Sequence, residues 1–304
     1  MNDEQQDLQL LHHRMRLVEA LEQHHGGTHW DLAQAGSELA ADDAATAPLQ
    51  TSHVVGHALS FAVDCLRSTR MLLTDPDSPT TIVLPLTGQY PLLRGAMEAG
   101  GLVLWLLEPN DHRERVSRTL RSRWDDIVQD DKAVLAMTDF VAGEPKERIS
   151  YKNAQRRKNA QRVRKQKARV RAVADAAGIP RSEMEQGLPG WGPIIREGAP
   201  AGTLPANQVH GWWRLISGLA HPSASRTLSL HNLEEIAERD GSGTVQALFT
   251  SRPDITNATL EAAALLYINA LRLTSRRGDC PALEFVAPPG FPLPPGYHER
   301  ARRG

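Results

Sequence analysis

Residues 111–178 constrain the fold of this chain more than any other segment. Seven residues of this segment recur at helical spacing, as in a coiled-coil seam: Val116, Leu120, Trp124, Ile127, Val134, Thr138 and Val141. Gly143, Glu144 and Pro145 break the pattern, and a second helical stretch then continues to Gly178. Two long helices joined by so short a break fold back as an antiparallel hairpin. The sequence predicts helices of about 45 Å each.

Helical periodicity also runs through most of the remaining chain. It marks residues 5–24, 50–73, 91–107, 206–220 and 256–276. Residues 226–231 and 244–250 alternate enough for one small β-hairpin, although 233–239 between them looks helical. Glycine and proline dominate 187–205, which predicts a linker or surface loop. The expected fold is all-α, with a helical bundle (1–110 and 206–277), a long antiparallel helical hairpin (111–178), at most one small β-hairpin and a proline-rich tail (281–304).

Composition indicates the compartment and argues against several classes of protein. Cys65 and Cys280 are too few for a disulfide framework. The acidic N-terminus lacks the order of a signal peptide, and the longest apolar run, 99–107, is too short to span a bilayer. We expect a cytoplasmic protein with no membrane partner, no metal and no cofactor. His53 and His57 are four residues apart, as zinc ligands can be, but their neighbours favour an ordinary polar helix face.

The second half of the predicted hairpin carries a concentrated positive charge. Residues 146–171 hold twelve Lys or Arg and one acid, although the whole chain has a formal net charge of −1. Such blocks often bind a polyanion. We therefore expect RNA or another polyanion to bind residues 146–171 through its phosphates, with strong salt dependence. The expected contacts are Lys152, Arg156, Arg157, Lys158, Arg162, Arg164 and Lys165.

Pairing inside the hairpin is the alternative explanation of this charge. A fold-back about Glu144 brings four aspartates against four cations: Asp130 and Asp131 beside Arg157 and Lys158, and Asp125 and Asp126 beside Arg162 and Arg164. Exposed pairs of this kind contribute about 0.2–1 kcal/mol each. The five aspartates between residues 125 and 139 offset at most five of the twelve positive charges. A solvated structural hairpin and a nucleic-acid contact both remain open.

A second pattern lies in the predicted helix 206–220 and just beyond it. Arg214 and His221 are seven residues apart, close to two helical turns, which predicts a shared face about 10 Å apart. This segment resembles HEPN-type domains, all-helical bundles in which an Arg-x(4–6)-His motif cleaves RNA without metal. The resemblance implies that Arg214 holds the scissile phosphate and that His221 is the base acting on the 2′-hydroxyl.

Departures from this motif leave a structural role open. Leu215 follows the arginine where the family usually has a polar residue, and Arg226-x(4)-His231 is a second match. His221 precedes Pro222, which should end a helix there, so capping of the helix end is the alternative role.

Arg94 and Glu98 are the third candidate pair. They are four residues apart on the most apolar predicted helix, so each can neutralise the other. The pair is either a structural ion pair or part of a cleft facing Arg214 and His221, where two arginines bind an anion.

Together these patterns predict a nucleic-acid-binding helical protein. A metal-independent, HEPN-like ribonuclease of the toxin or phage-defence type is the catalytic version of this prediction. A non-enzymatic helical scaffold or protein-interaction module, whose hairpin docks on a protein or on a second copy of the chain, is the alternative. A homodimer is compatible with either.

Overall fold

The computed structural model describes residues 3–26, 31–199, 204–221, 223–236 and 246–287. These residues form eleven α-helices and two short antiparallel strand pairs, which confirms the predicted all-α class. The helices are α1 (Asp3–Gly26), α2 (Glu38–Thr46), α3 (Thr51–Leu73), α4 (Gln89–Leu107), α5 (His112–Met137), α6 (Lys146–Ala176), α7 (Arg181–Met184), α8 (Trp191–Gly198), α9 (Ala206–Leu219), α10 (Ala224–Leu230) and α11 (Pro253–Gly278). Strand β1 (Thr74–Asp75) pairs with β2 (Ser78–Ile82), and β3 (Asn232–Glu235) pairs with β4 (Ala247–Thr250).

Helix α4 is the centre of the bundle. It packs mainly against α3 and α11, and α8 and α9 cover it further. Its residues are apolar on nearly every side, as a helix surrounded by other helices requires. Gly100 allows the closest approach, because a Cβ there would lie 3.2 Å from the backbone of Leu266 on α11.

Helices α5 and α6 form the predicted antiparallel hairpin and have an apolar cluster of their own. That cluster includes Val116, Leu120, Trp124, Ile127, Val163, Val170 and Val173. The two helices pair about one turn further along α6 than predicted. Asp130 contacts Arg162 at 3.5 Å, and Asp131 accepts a 2.7 Å hydrogen bond from Asn159. Arg157, Lys158 and Arg164 therefore lack their predicted partners.

The connection between α5 and α6 explains this shift. Helix α5 ends at Met137, and Thr138 caps it, with its backbone amide and its hydroxyl both donating to the Val134 carbonyl, at 3.0 and 2.6 Å. The connection is therefore longer than the predicted break at residues 143–145. Val141, predicted to belong to the seam, lies beyond the helix and is 66% exposed.

Three other segments differ from the sequence prediction. Residues 187–205, predicted as a loop, contain α8, whose Ile195 packs against Gly101 of α4. Residues 226–231, predicted as a strand, fall mostly in α10, and the strand itself is β3, within the stretch 233–239 predicted as helical. Its partner β4 lies within residues 244–250, which the sequence predicted as the second strand of the hairpin, so that strand is confirmed. The structure has a second strand pair, β1 and β2, where at most one was expected.

The beginning of the predicted tail is part of the core. Leu283 and Phe285 are buried against the bundle, whereas the sequence predicted a tail that is extended over the surface or disordered; residues 288–304 lie outside the described part of the chain. None of the described helices combines the length and apolarity needed to cross a membrane.

Candidate functional site

Some of the cations on α6 form hydrogen bonds and ion pairs inside the hairpin. Lys152 is buried, donates to the Asp139 carbonyl at 2.6 Å and forms an ion pair with Glu144. Arg156 donates to the Thr138 hydroxyl at 3.1 Å. These two predicted RNA contacts therefore help to close the tip of the hairpin.

Other cations of α6 also have partners inside the protein. Arg162 pairs with Asp130, Arg148 with Glu144 and Arg171 with Glu185, at 3.5, 3.4 and 2.7 Å. The Lys167 ammonium lies 5.0 Å from the centroid of the Trp124 ring, as in a cation–π contact. Pairing thus accounts for part of the charge, as the alternative interpretation expected.

Five cations point away from the hairpin seam, and we call them the outer cation face: Arg157, Lys158, Arg164, Lys165 and Arg169. All five are exposed, and within the described residues none of them makes an ion pair. Buried Val163 and Val170 mark the opposite side of the helix. The face is about 18 Å long at 1.5 Å per residue. Its five like charges repel one another, and no neighbouring acid of the described structure compensates them.

Arg214 and His221 are both exposed, and they do not lie on one helix. Helix α9 ends at Leu219, so His221 follows the helix end, and Pro222 lies outside the described residues. The two-turn helical spacing therefore does not fix their separation. The His221 carbonyl accepts a 2.8 Å hydrogen bond from the Ser223 amide. Neither side chain makes an ion pair with a described residue.

His210 is a basic group near Arg214 that sequence reasoning missed. It precedes Arg214 by one helical turn, and its ring stacks on Trp213 with centroids 5.8 Å apart. Burial lowers the pKa of His210, and the positive charges of Arg196 and Arg214 lower it further. These causes favour the neutral form of the imidazole. The i,i+4 spacing of His210 and Arg214 was the available signal.

The Arg94–Glu98 pair does form and connects α4 to α9. Arg94 Nε donates to Glu98 Oε1 at 2.8 Å, and the Trp213 indole donates to the same oxygen at 3.0 Å. The pair thus contacts Trp213, the residue before Arg214, but no ion pair or hydrogen bond within the described residues joins it to the Arg214 side chain. Glu98 also lines a cleft, but its walls include His57, Phe61 and Trp191 rather than the predicted Arg214 and His221.

A serine–histidine contact lies at a cavity of about 640 Å³. The Ser60 hydroxyl is 3.3 Å from His25 Nε2, and His25 Nδ1 is 2.8 Å from the Tyr267 hydroxyl. Ser60 lies in the middle of α3, where backbone amides already bond within the helix. The helix therefore supplies no oxyanion donors beside Ser60, and this contact does not resemble a nucleophile site.

Residues suited to a metal do not gather in the described structure. Within the described ranges, no three His, Cys, Asp or Glu side chains come together as ligands.

Comparison with known proteins yields no relative. The chain matches no family model, no curated protein and no solved structure.

Proposed function

We propose that this protein binds nucleic acid, with RNA as the expected form, along the outer cation face. The observation that supports this proposal is a row of five exposed cations without ion pairs among the described residues. A phosphate backbone relieves the repulsion between such charges and releases its own counterions on binding. Tyr151 is the single aromatic residue in 146–171, so recognition relies on phosphates rather than stacked bases.

Two variants that each lose four positive charges, but at different positions, test this proposal. In the first variant, Arg157, Lys158, Lys165 and Arg169 become glutamine. In the matched control, the paired cations Arg148, Arg156, Arg162 and Arg171 become glutamine. Fluorescence anisotropy with a labelled single-stranded RNA measures affinity, and thermal unfolding checks both folds. We expect the first variant to bind at least about tenfold more weakly than the control, since its cations have no ion-pair partner among the described residues that competes with phosphates. Equal affinities of the two variants would contradict the proposal.

Cleavage of the bound RNA is the second part of this proposal. Exposed Arg214, with the His210 imidazole one helical turn away on α9, is the observation that favours it. The test incubates RNA with the protein in EDTA, alongside His221→Ala and His210→Ala. Loss of cleavage in His221→Ala supports the HEPN-like assignment, whereas loss in His210→Ala alone moves the base to His210. If the wild type leaves the RNA intact, the catalytic proposal fails and the binding proposal stands by itself.

A protein-interaction role is the competing proposal, favoured by the tip of the hairpin. Several apolar side chains are exposed there: Leu135, Met137, Phe140, Val141 and Tyr151. An exposed apolar group of this kind is typical of an interaction surface. Light scattering of the wild type and of a Met137→Ser, Val141→Ser variant distinguishes the roles. If the wild type is a dimer and the variant is a monomer, the competing proposal is supported. If both proteins are monomers, the hairpin tip does not mediate self-association.

A further inference from the structure

The cleft beside Glu98 has the features of a small-ligand site. It lies between α3, α4 and the start of α8, with a volume of about 280 Å³, and its lining includes His57, Phe61, Glu98, Leu102 and Trp191. A Cβ on Gly95 would lie 3.3 Å from the Phe61 ring, so the glycine lets this ring lie close against α4. Such a combination of apolar walls and few polar groups is typical of ligand sites.

Glu98 supplies an oriented hydrogen-bond acceptor. Its Oε1 accepts from both Arg94 and Trp213, at 2.8 and 3.0 Å, which fixes the plane of the carboxylate. Its Oε2 accepts no hydrogen bond from any residue in the described ranges, and the side chain is only 15% exposed. A carboxylate has no proton to donate at neutral pH, so a ligand there must offer N–H or O–H donors.

The walls of the cleft select for a flat, uncharged ligand. Phe61 is 49% exposed and lines the cleft, and Trp191 provides a second aromatic side chain in its wall. Aromatic surfaces of this kind stack on planar rings. Arg94 already neutralises Glu98, so a simple ammonium ion gains little from the carboxylate.

We propose that this cleft binds a guanine-type base. Guanine is planar, and its N1–H and N2–H₂ donors lie side by side on one edge, so both can be directed at Glu98 Oε2, the oxygen that Arg94 and Trp213 leave open, while its faces contact Phe61 and Trp191. Adenine places an acceptor next to its amino group, which faces the carboxylate unfavourably. The base comes either from a free nucleoside or nucleotide or from an unpaired guanosine in RNA. The cleft does not include the outer cation face, so this inference goes beyond the proposed function.

Guanosine itself is the first probe, because it carries no phosphate that could bind the outer cation face. Calorimetric titration compares guanosine with adenosine on the wild type, Glu98→Gln and Phe61→Ala, with Phe140→Ala at the hairpin tip as the matched control. We expect guanosine to bind about tenfold more tightly than adenosine. Glu98→Gln and Phe61→Ala should each weaken guanosine binding about tenfold, because the first removes a charged acceptor and the second removes a stacking surface. Phe140→Ala should bind like the wild type.

Several outcomes overturn the inference. These are no saturable guanosine binding to the wild type, equal affinity for guanosine and adenosine, or unchanged guanosine affinity in both Glu98→Gln and Phe61→Ala. The wild-type comparison does not depend on how the variants fold, and Phe61 is exposed enough to be removed safely.

The same titration distinguishes a free nucleoside from an unpaired guanosine in RNA as the source of the base. It also separates guanine binding in the cleft from RNA binding along the outer cation face. A short RNA with one unpaired guanosine should compete with guanosine if the base comes from RNA, and should fail to compete if the ligand is free. The variant with Arg157, Lys158, Lys165 and Arg169 changed to glutamine should bind guanosine like the wild type. If guanosine binds and RNA does not, the cleft inference stands and the proposed function fails; the reverse result removes the cleft inference alone.

Discussion

The α3–α4–α11 bundle and the α5–α6 hairpin are stabilised in different ways. Helix α11 is buried on most sides among apolar residues, with Tyr267, Leu271 and their neighbours in one continuous core. Helix α6 buries a few valines in its second half, whereas its first half buries Lys152 and Asn159. The bundle therefore depends on apolar area, and the distal hairpin depends on hydrogen bonds and ion pairs. This difference leaves the outward charges of α6 available to a partner.

The largest effect should come from a cavity in the bundle. Leu104 is fully buried on α4, so Leu104→Ala should lower the free energy of unfolding by about 2–5 kcal/mol in urea denaturation. Leu135→Ala at the hairpin tip is the control, because that leucine is 43% exposed and should cost less than about 0.5 kcal/mol. Similar losses of unfolding free energy in the two variants would contradict the claim that the bundle and the hairpin tip are stabilised differently.

A smaller, local effect should follow from a cavity in the hairpin seam. Val170 is 1% exposed, and Val170→Ala removes the equivalent of two methylene groups, which costs about 1–2 kcal/mol. Hydrogen exchange should show faster opening of α6 with little change in α11. If hydrogen exchange becomes faster in both α6 and α11, the hairpin and the bundle unfold as one unit.

Acid should loosen the tip of the hairpin before the bundle. The hydrogen bond from Lys152 is the main reason that the pKa of Glu144 is lowered. A lowered folded-state pKa stabilises the fold above the ordinary pKa of the carboxyl, and this contribution is lost as pH falls through the folded value. Exchange of residues 139–156, corrected for intrinsic rates, should therefore rise relative to α4 as the pH falls below about 4.5. Glu144→Gln should abolish this dependence on pH, and its persistence in that variant would assign it to another group.

The smallest effect should come from the exposed ion pair between Arg162 and Asp130. Their side chains are 45% and 62% exposed, so a double-mutant cycle with alanine should give a coupling of about 0.2–1 kcal/mol. The coupling should fall further in high salt. A coupling well above this range would show that ion pairs, rather than the valine seam, hold the middle of the hairpin.

The helices of both regions could be predicted because their apolar residues follow the helical period. The register of the hairpin could not, because it depends on where Thr138 ends α5 and on how Glu144 folds back onto Lys152. Helix α8 was missed because Gly190 and Pro193 lie in a glycine- and proline-rich stretch, although Ile194 and Ile195 pack into the core.

The candidate site was predictable only in part. The i,i+4 spacing of Arg94 and Glu98 predicted their ion pair, which the structure contains. Their contact with Trp213 joins residues more than a hundred positions apart, and no local pattern encodes it. The helical spacing of Arg214 and His221 suggested a shared face, but α9 ends before His221.

The dependence of RNA affinity on salt tests the central claim most directly. Affinity should be measured from about 50 to 200 mM salt for the wild type and for the variant with Arg157, Lys158, Lys165 and Arg169 changed to glutamine. Each phosphate contact contributes about −0.7 to the slope of log K against log salt for a single strand. Loss of four contacts should therefore make the slope shallower by about 3. Equal slopes for the two proteins would show that the outer cation face does not contact phosphates.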